Sequence, residues 1–196
     1  MKRKTFDLIL TAVGGALTVI LVVAGALLLV GANYANSNVH DQLARQQITF
    51  PTKAQILTKK GEDYISRNVQ LPYAGQQVLT GTQAKAYAYK VQMDVYPMPF
   101  HGVYSKVSHF AMTHPTTAKA AALVTTSFRA TTLQGLLLEA YAFSQFGTIA
   151  TDGAIAAFSL AFLMLVLTGL GLWHVRRTPV SEEFPKSFAT ETRQAA

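Results

Sequence analysis

Hydrophobic positions in this chain are concentrated in two long runs, Leu8 to Gly31 and Gly153 to Trp173, and neither holds an Asp, Glu, Lys or Arg. As helices, runs of 24 and 21 residues each reach about 30 Å or more, the thickness of a bilayer's hydrocarbon core. Between them the pattern changes to short amphipathic stretches. Residues 33–47 contain no Gly or Pro, and Val39, Leu43 and Gln47 recur at spacing four, so the first apolar helix is expected to run on beyond its apolar part. Ile48-Thr49-Phe50-Pro51 should end it, because a proline disfavours helix at the residue before it. Thr52 to Lys60 suits a short helix closed by Gly61, and residues 67–81, with Pro72, Gly75 and Gly81, read as a structured connection.

Thr82 to Tyr96 carries the clearest helical pattern of the middle segment. Ala84, Tyr87, Ala88, Val91 and Val95 recur at spacings of three and four, and Thr80 or Thr82 can cap the start. Pro97-Met98-Pro99 ends that helix. Val103 to Thr113 is a further candidate, with Val103, Val107, Phe110 and Ala111 on one face. His114 to Thr117 punctuates the chain, and alanines favour a helix over Ala118 to Arg129. Leu133 to Phe146 is apolar enough to lie on a membrane or dock on the first run, with a break expected at Gly147 or at Asp152-Gly153. Period-two alternation is weak throughout. The expected class is an all-α membrane protein: two transmembrane helices, 8–31 and 153–173, flank a mainly helical extracytoplasmic domain, 32–152. Residues 1–7 form a cytoplasmic N-terminus and 174–196 a disordered cytoplasmic tail.

Charge supplies the orientation. Lys2, Arg3 and Lys4 precede the first run, and Arg176 and Arg177 follow the second. The inner flanks are poorer in positive charge, with only Arg45 shortly after the first run and no Lys or Arg between Arg129 and the second. The positive-inside rule places both termini in the cytoplasm of a plasma-membrane protein. The segment between the runs carries ten Lys and Arg against six Asp and Glu, a mild basic excess that suits anionic neighbours. Nucleic acid is excluded on that side. A cleaved signal peptide is the rival reading of the N-terminus, since Val30-Gly31-Ala32 resembles a cleavage site. Signal cores of about 7–15 residues are much shorter than this run, which favours an uncleaved anchor. The chain has no cysteine, which removes disulfides, thiolate metal sites and lipobox acylation.

Small residues in the runs form the best-defined functional pattern. Gly153, Ala157 and Ala161 stand at spacing four, and Ala12–Ala16 and Gly14–Thr18 do the same in the first run. Such stripes let helix backbones approach closely in lipid, within one chain or between copies. The polar residues in the runs, Thr11, Thr18, Ser159 and Thr168, can each bond their own helix backbone. Catalytic signals are weak. His101, His109 and His114 lie eight and five residues apart, the wrong spacing for one helical face, and no His-Glu-x-x-His is present. Ser105 and Ser108 with His109 lack a nucleophile elbow. The many Tyr and Phe residues of the middle segment suit core packing and an interfacial belt, or a groove for lipid, quinone or carbohydrate. No catalytic residue, metal or cofactor is assigned.

Several stretches carry a resemblance: Ile48-Thr49-Phe50-Pro51, Tyr73-Ala74-Gly75-Gln76-Gln77-Val78 with Thr80-Gly81-Thr82-Gln83-Ala84, Tyr104-Ser105 with Ser108, and Thr132-Leu133-Gln134-Gly135-Leu136-Leu137-Leu138. The chain resembles a group of small two-span membrane proteins of unknown function from high-GC Gram-positive (actinobacterial) bacteria. The resemblance covers nearly everything but the tail, and implies two spans around an outer domain without bringing an activity. Some similar proteins bear a ring-opening dioxygenase label, which this chain's histidines and carboxylates do not support. The expected role is a non-enzymatic accessory, scaffold or sensor component. The alternatives are a lipid- or small-molecule-binding module and a subunit of an oligomeric channel. The expected partners are the lipid bilayer and another membrane protein or a second copy.

Overall fold

The computed structural model describes residues 3–59, 63–114 and 118–177. Six α-helices carry the fold: α1 (Arg3–Gln46), α2 (Lys53–Thr58), α3 (Tyr64–Gln70), α4 (Gly81–Val95), α5 (Tyr104–Thr113) and α6 (Ala118–Arg177). Among the described residues there is no β-strand, only one isolated antiparallel bridge, Thr49 with Gln77. Two of the helices are long and apolar enough to cross a membrane. The chain divides into two compact units, Met1–Val30 with Thr151–Ala196, and Gly31–Ala150. Gly61 and the tail after Arg177 lie outside the described residues.

The first unit is a pair of helices. A regular series of covered positions runs along each helix, Ala154, Ala157, Ala161, Met164, Thr168, Gly171 and Val175 on α6 and Asp7, Thr11, Gly14, Thr18, Leu21 and Gly25 on α1, with Gly15, Ala24, Gly153 and Phe158 half-buried beside them. Both series alternate steps of three and four, the 3.5-residue repeat of a left-handed coiled pair. Glycines mark where the two backbones come near. A Cβ on Gly14 would lie 2.7 Å from Thr168 Oγ1, one on Gly171 2.9 Å from Thr11 Oγ1, and one on Gly25 3.0 Å from the Phe158 ring. The pairing runs antiparallel, low numbers of α1 against high numbers of α6. Outside this seam the side chains are exposed leucines, isoleucines, valines and phenylalanines.

In the second unit each turn has a local cause. At the end of α1, Gln47 takes a positive φ of 52°. Phe50 N–H then donates to Gln76 O at 2.9 Å and Val78 N–H to Ile48 O at 2.8 Å, a short ribbon that Pro51 closes by accepting from Gly75 N–H. Gln77 Nε2 donates to Ala44 O at 3.0 Å, which satisfies one of the carbonyls that every helix end leaves bare. Thr52 and Gln55 form a capping box on α2, and Thr80 and Gln83 form one on α4. Asp63 caps α3 by accepting from the N–H groups of Ile65 and Ser66. Phe100 and His101 are left-handed at φ 59° and 55°, and Gly102 follows at 68°. That reversal turns the chain from α4 into α5, and Tyr96 and His101 stack across it at 4.3 Å.

The core of this unit is built from Val39, Leu43, Phe50, Val78, Ala84, Ala88, Val91 and Leu137. Phe50, 2% exposed, lies between the rings of Tyr73 and Tyr87 at 5.5 and 5.2 Å. Ala84 and Ala88 keep α4 thin enough for its neighbours to close over it.

Three expectations are corrected. The connection assigned to 67–81 contains most of α3, which begins at Tyr64 because Asp63 supplies the cap. No break occurs at Gly147 or Asp152-Gly153, and α6 runs unbroken for 60 residues. A glycine inside a helix costs only about 1 kcal/mol, and close packing offsets it: a Cβ on Gly147 would sit 2.6 Å from Asn36 Oδ1. Finally, of the two expectations for Leu133–Phe146, lying on a membrane or docking on the first apolar run, the second is corrected: Leu137 is buried with Val39 and Leu43, beyond the apolar part of α1.

Candidate functional site

The sequence singled out six helix-packing residues, all in the two-helix unit. Gly14, Ala157 and Ala161 are buried there and Gly153 is half-buried, with Leu28 Cδ1 3.4 Å from where its Cβ would stand. Ala12 and Ala16 are exposed, so that pair lies off the seam. The seam uses the other expected pair, Gly14 and Thr18, together with Thr11. Thr11 Oγ1 donates to Asp7 O at 2.7 Å, Thr18 Oγ1 to Gly14 O at 2.8 Å, and Ser159 Oγ to Ile155 O at 2.8 Å. Thr168 departs from the expectation that each hydroxyl bonds its own helix: its Oγ1 is buried without a hydrogen-bond partner, facing Gly14.

Burial gives this seam a direct test. Replacing Ala157 by Leu should destabilise the helix pair by about 1–3 kcal/mol, the ordinary cost of overpacking a closed contact. Leu160, 51% exposed, should tolerate Ile with almost no change. Thermal aggregation of the purified chain in one detergent ranks the two, and equal behaviour would mean that Ala157 packs against nothing.

The histidines do not assemble. His101 Nδ1 lies 3.1 Å from Tyr96 O, which accepts from its N–H, while His114 stacks on Phe110 at 4.4 Å. Among the described residues, no three His, Asp or Glu side chains are grouped as metal ligands. The charged groups instead fasten helices together. Asp94 binds Lys59, from the residue after α2, and Lys90 Nζ at 2.5 Å. Burial works to raise the Asp94 pKa, but the hydrogen bonds and charges of the two lysines outweigh it and hold the carboxyl below its usual value.

What the fold creates is a cleft of about 470 Å³ in the second unit, within the size range of small-molecule sites. It is bounded by α3 and the turn after it, by α4 and by residues 134–138 of α6. Val69, Pro72, Tyr73, Ala86, Ala88 and Leu138 give it apolar walls, and Lys85, Tyr89, Gln92 and Gln134 add polar groups. Tyr89 Oη donates to Asp63 Oδ2 at 3.3 Å, and partial burial with that neighbouring carboxylate raises the phenol's pKa. Gln134 Nε2 donates to Gln92 Oε1 at 3.3 Å, an amide pair that also lines a second cleft with His101, Tyr104 and Ser105. At the other end, Lys85 Nζ lies 4.6 Å from the centre of the Tyr141 ring and 3.4 Å from its Oη.

Sequence reasoning grouped the aromatic residues but did not find this cleft. Its walls come from residues 68–73, 82–92 and 134–138, which no local pattern links. No protein-family model, curated protein or solved structure matches the chain. The geometry therefore carries the functional reading.

Proposed function

We propose that this is a two-pass integral protein of the plasma membrane, with both termini in the cytoplasm, acting as a non-enzymatic accessory or sensor component. Its second unit lies outside the cell and binds a small apolar molecule. The observation that carries the reading is the cleft between α3, α4 and α6, with apolar walls and a few convergent polar groups. Membrane insertion is supported by where the apolar side chains point: only 6% and 11% of the two most apolar windows is buried. A core helix of a soluble protein would be mostly covered. The basic residues outside each apolar segment support the orientation.

The test has two arms. For topology, a reporter that works only in the cytoplasm should be active when fused after Ala196, and one inserted near Gly61 should need export. An external C-terminus would overturn the layout. For binding, native mass spectrometry of the full chain in mild detergent, purified from its own host, should show a retained small molecule. Leu138→Trp, which fills the cleft from an exposed position, should lose it. A Leu138→Trp chain that retains the same molecule would remove the cleft from the function.

A further inference from the structure

Resting on the cleft reading above, we propose that the occupant is a single-chain amphiphile with a carboxylate head, a fatty-acid-like anion held head-first at Lys85. Among the described residues that line the cleft, Lys85 is the only charged side chain. Lys59 and Lys90, by contrast, are both paired with Asp94. Among the described residues Lys85 has no carboxylate partner: its ammonium rests over the Tyr141 ring and donates to the phenol oxygen. A cation parked on an aromatic face at the mouth of an apolar cleft can accept an anion without first breaking an ion pair, and the Tyr141 hydroxyl can donate a second hydrogen bond to the same oxyanion.

Asp63 and Asp94, the acids described on α3's cap and on α4, are engaged elsewhere. Asp63 receives the Tyr89 hydroxyl and caps α3 through two backbone N–H groups. Asp94 is held by two lysines. A cationic ligand would meet Lys85 as a like charge, and a neutral one would leave it unpaired.

The rest of the cleft sets the shape of the body. From Lys85 to Gln92 the α4 wall advances seven residues, about 10 Å. Between those two residues the lining is mainly apolar, with Ala86 and Ala88 of α4, Val69 and Pro72 from α3 and the turn after it, and Leu138 of α6. The far end is the neutral Gln92–Gln134 amide pair. Cation, apolar trough and uncharged far end follow in order, and that order matches a charged head with a medium-length alkyl chain.

The test uses the full chain in nanodiscs of phosphatidylcholine and a dodecanoate carrying a photoreactive diazirine near its far end. Crosslinks mapped by mass spectrometry should fall in 68–73, 86–92 or 134–138. Unlabelled dodecanoate should compete, while dodecanol and dodecyltrimethylammonium should do so at least about tenfold less well, the scale of one lost charge-assisted hydrogen bond. Lys85→Gln should weaken labelling by a similar factor, and Lys85→Arg should keep it. Dodecanol competing as well as dodecanoate, or Lys85→Gln labelling like the parent, would overturn the anionic ligand and leave an apolar cleft standing. Labelling that avoids the cleft, and that Leu138→Trp does not change, would remove both.

Discussion

Gly81→Ala should destabilise the chain by about 3 kcal/mol, at the upper end for overpacking a closed contact. The expected sign is what makes the result informative. Replacing a helical glycine by alanine ordinarily stabilises by about 0.5–1 kcal/mol, because the unfolded chain loses freedom. At Gly81 a Cβ would lie 1.8 Å from Ser144 Oγ and 2.4 Å from Ser144 Cβ, with the Tyr141 Cα at 3.3 Å. The hydroxyl can rotate away, but the Cβ and the backbone behind it cannot, so α4 and α6 must separate. Gly135, on the same α6, has nothing within 4 Å of its Cβ position, and Gly135→Ala should therefore stabilise by the ordinary amount. Chemical denaturation followed by helical circular dichroism would compare the two. Adding Ser144→Gly to Gly81→Ala should recover most of the loss, and a double mutant as unstable as Gly81→Ala would mean that the contact is not the cause.

Leu137→Ala should cost about 2–5 kcal/mol, the range for emptying a buried leucine site. Leu137 is 1% exposed and shares its core with Val39, Leu43, Val78, Ala84 and Val91, drawn from α1, the ribbon and α4. Rigid helices on several sides cannot collapse into the space, which places the cost toward the upper part of the range. Its neighbour Leu136 is 51% exposed, and truncation there should cost far less. Limited proteolysis of the two variants in the same detergent should show early cleavage between Gly31 and Ala150 for Leu137→Ala alone. Equal protection would place the core of this unit elsewhere.

These two sites show how far local sequence reaches. The helical class, the two apolar segments and α4 follow from signals within one or two turns: apolar period, threonine caps and prolines. Thr80 with Gln83, and Pro51 after a helix of 44 residues, act through bonds to their immediate neighbours and so are legible in order along the chain. The same is true of the run of α1 past its apolar part, since nothing between Asn33 and Gln46 interrupts it.

Other features depend on what stands across a contact, and no single stretch carries that information. Gly147 and Gly153 look like helix breaks, but α6 passes through both, and at Gly147 the missing side chain makes room for Asn36. Ala12 and Gly14 are equally small in sequence, and only the position of Thr168 decides that Gly14 is covered and Ala12 is not. The left-handed Phe100 and His101 have no glycine or asparagine to announce them. Their backbone is held by the stack of His101 on Tyr96 and by the close approach of Gly102 to Val95. The cleft is the extreme case. Its lining is contributed by segments up to 70 residues apart, from Asn68 to Leu138, and Lys85, the one cation among its described lining residues, stands out as a candidate anchor beside Lys59 and Lys90, which Asp94 engages. Sequence determined which segments are helical and apolar, because those are properties of neighbours along the chain. Tertiary structure decided which small faces meet, which glycines are irreplaceable and where a ligand can sit, because those are properties of neighbours across it.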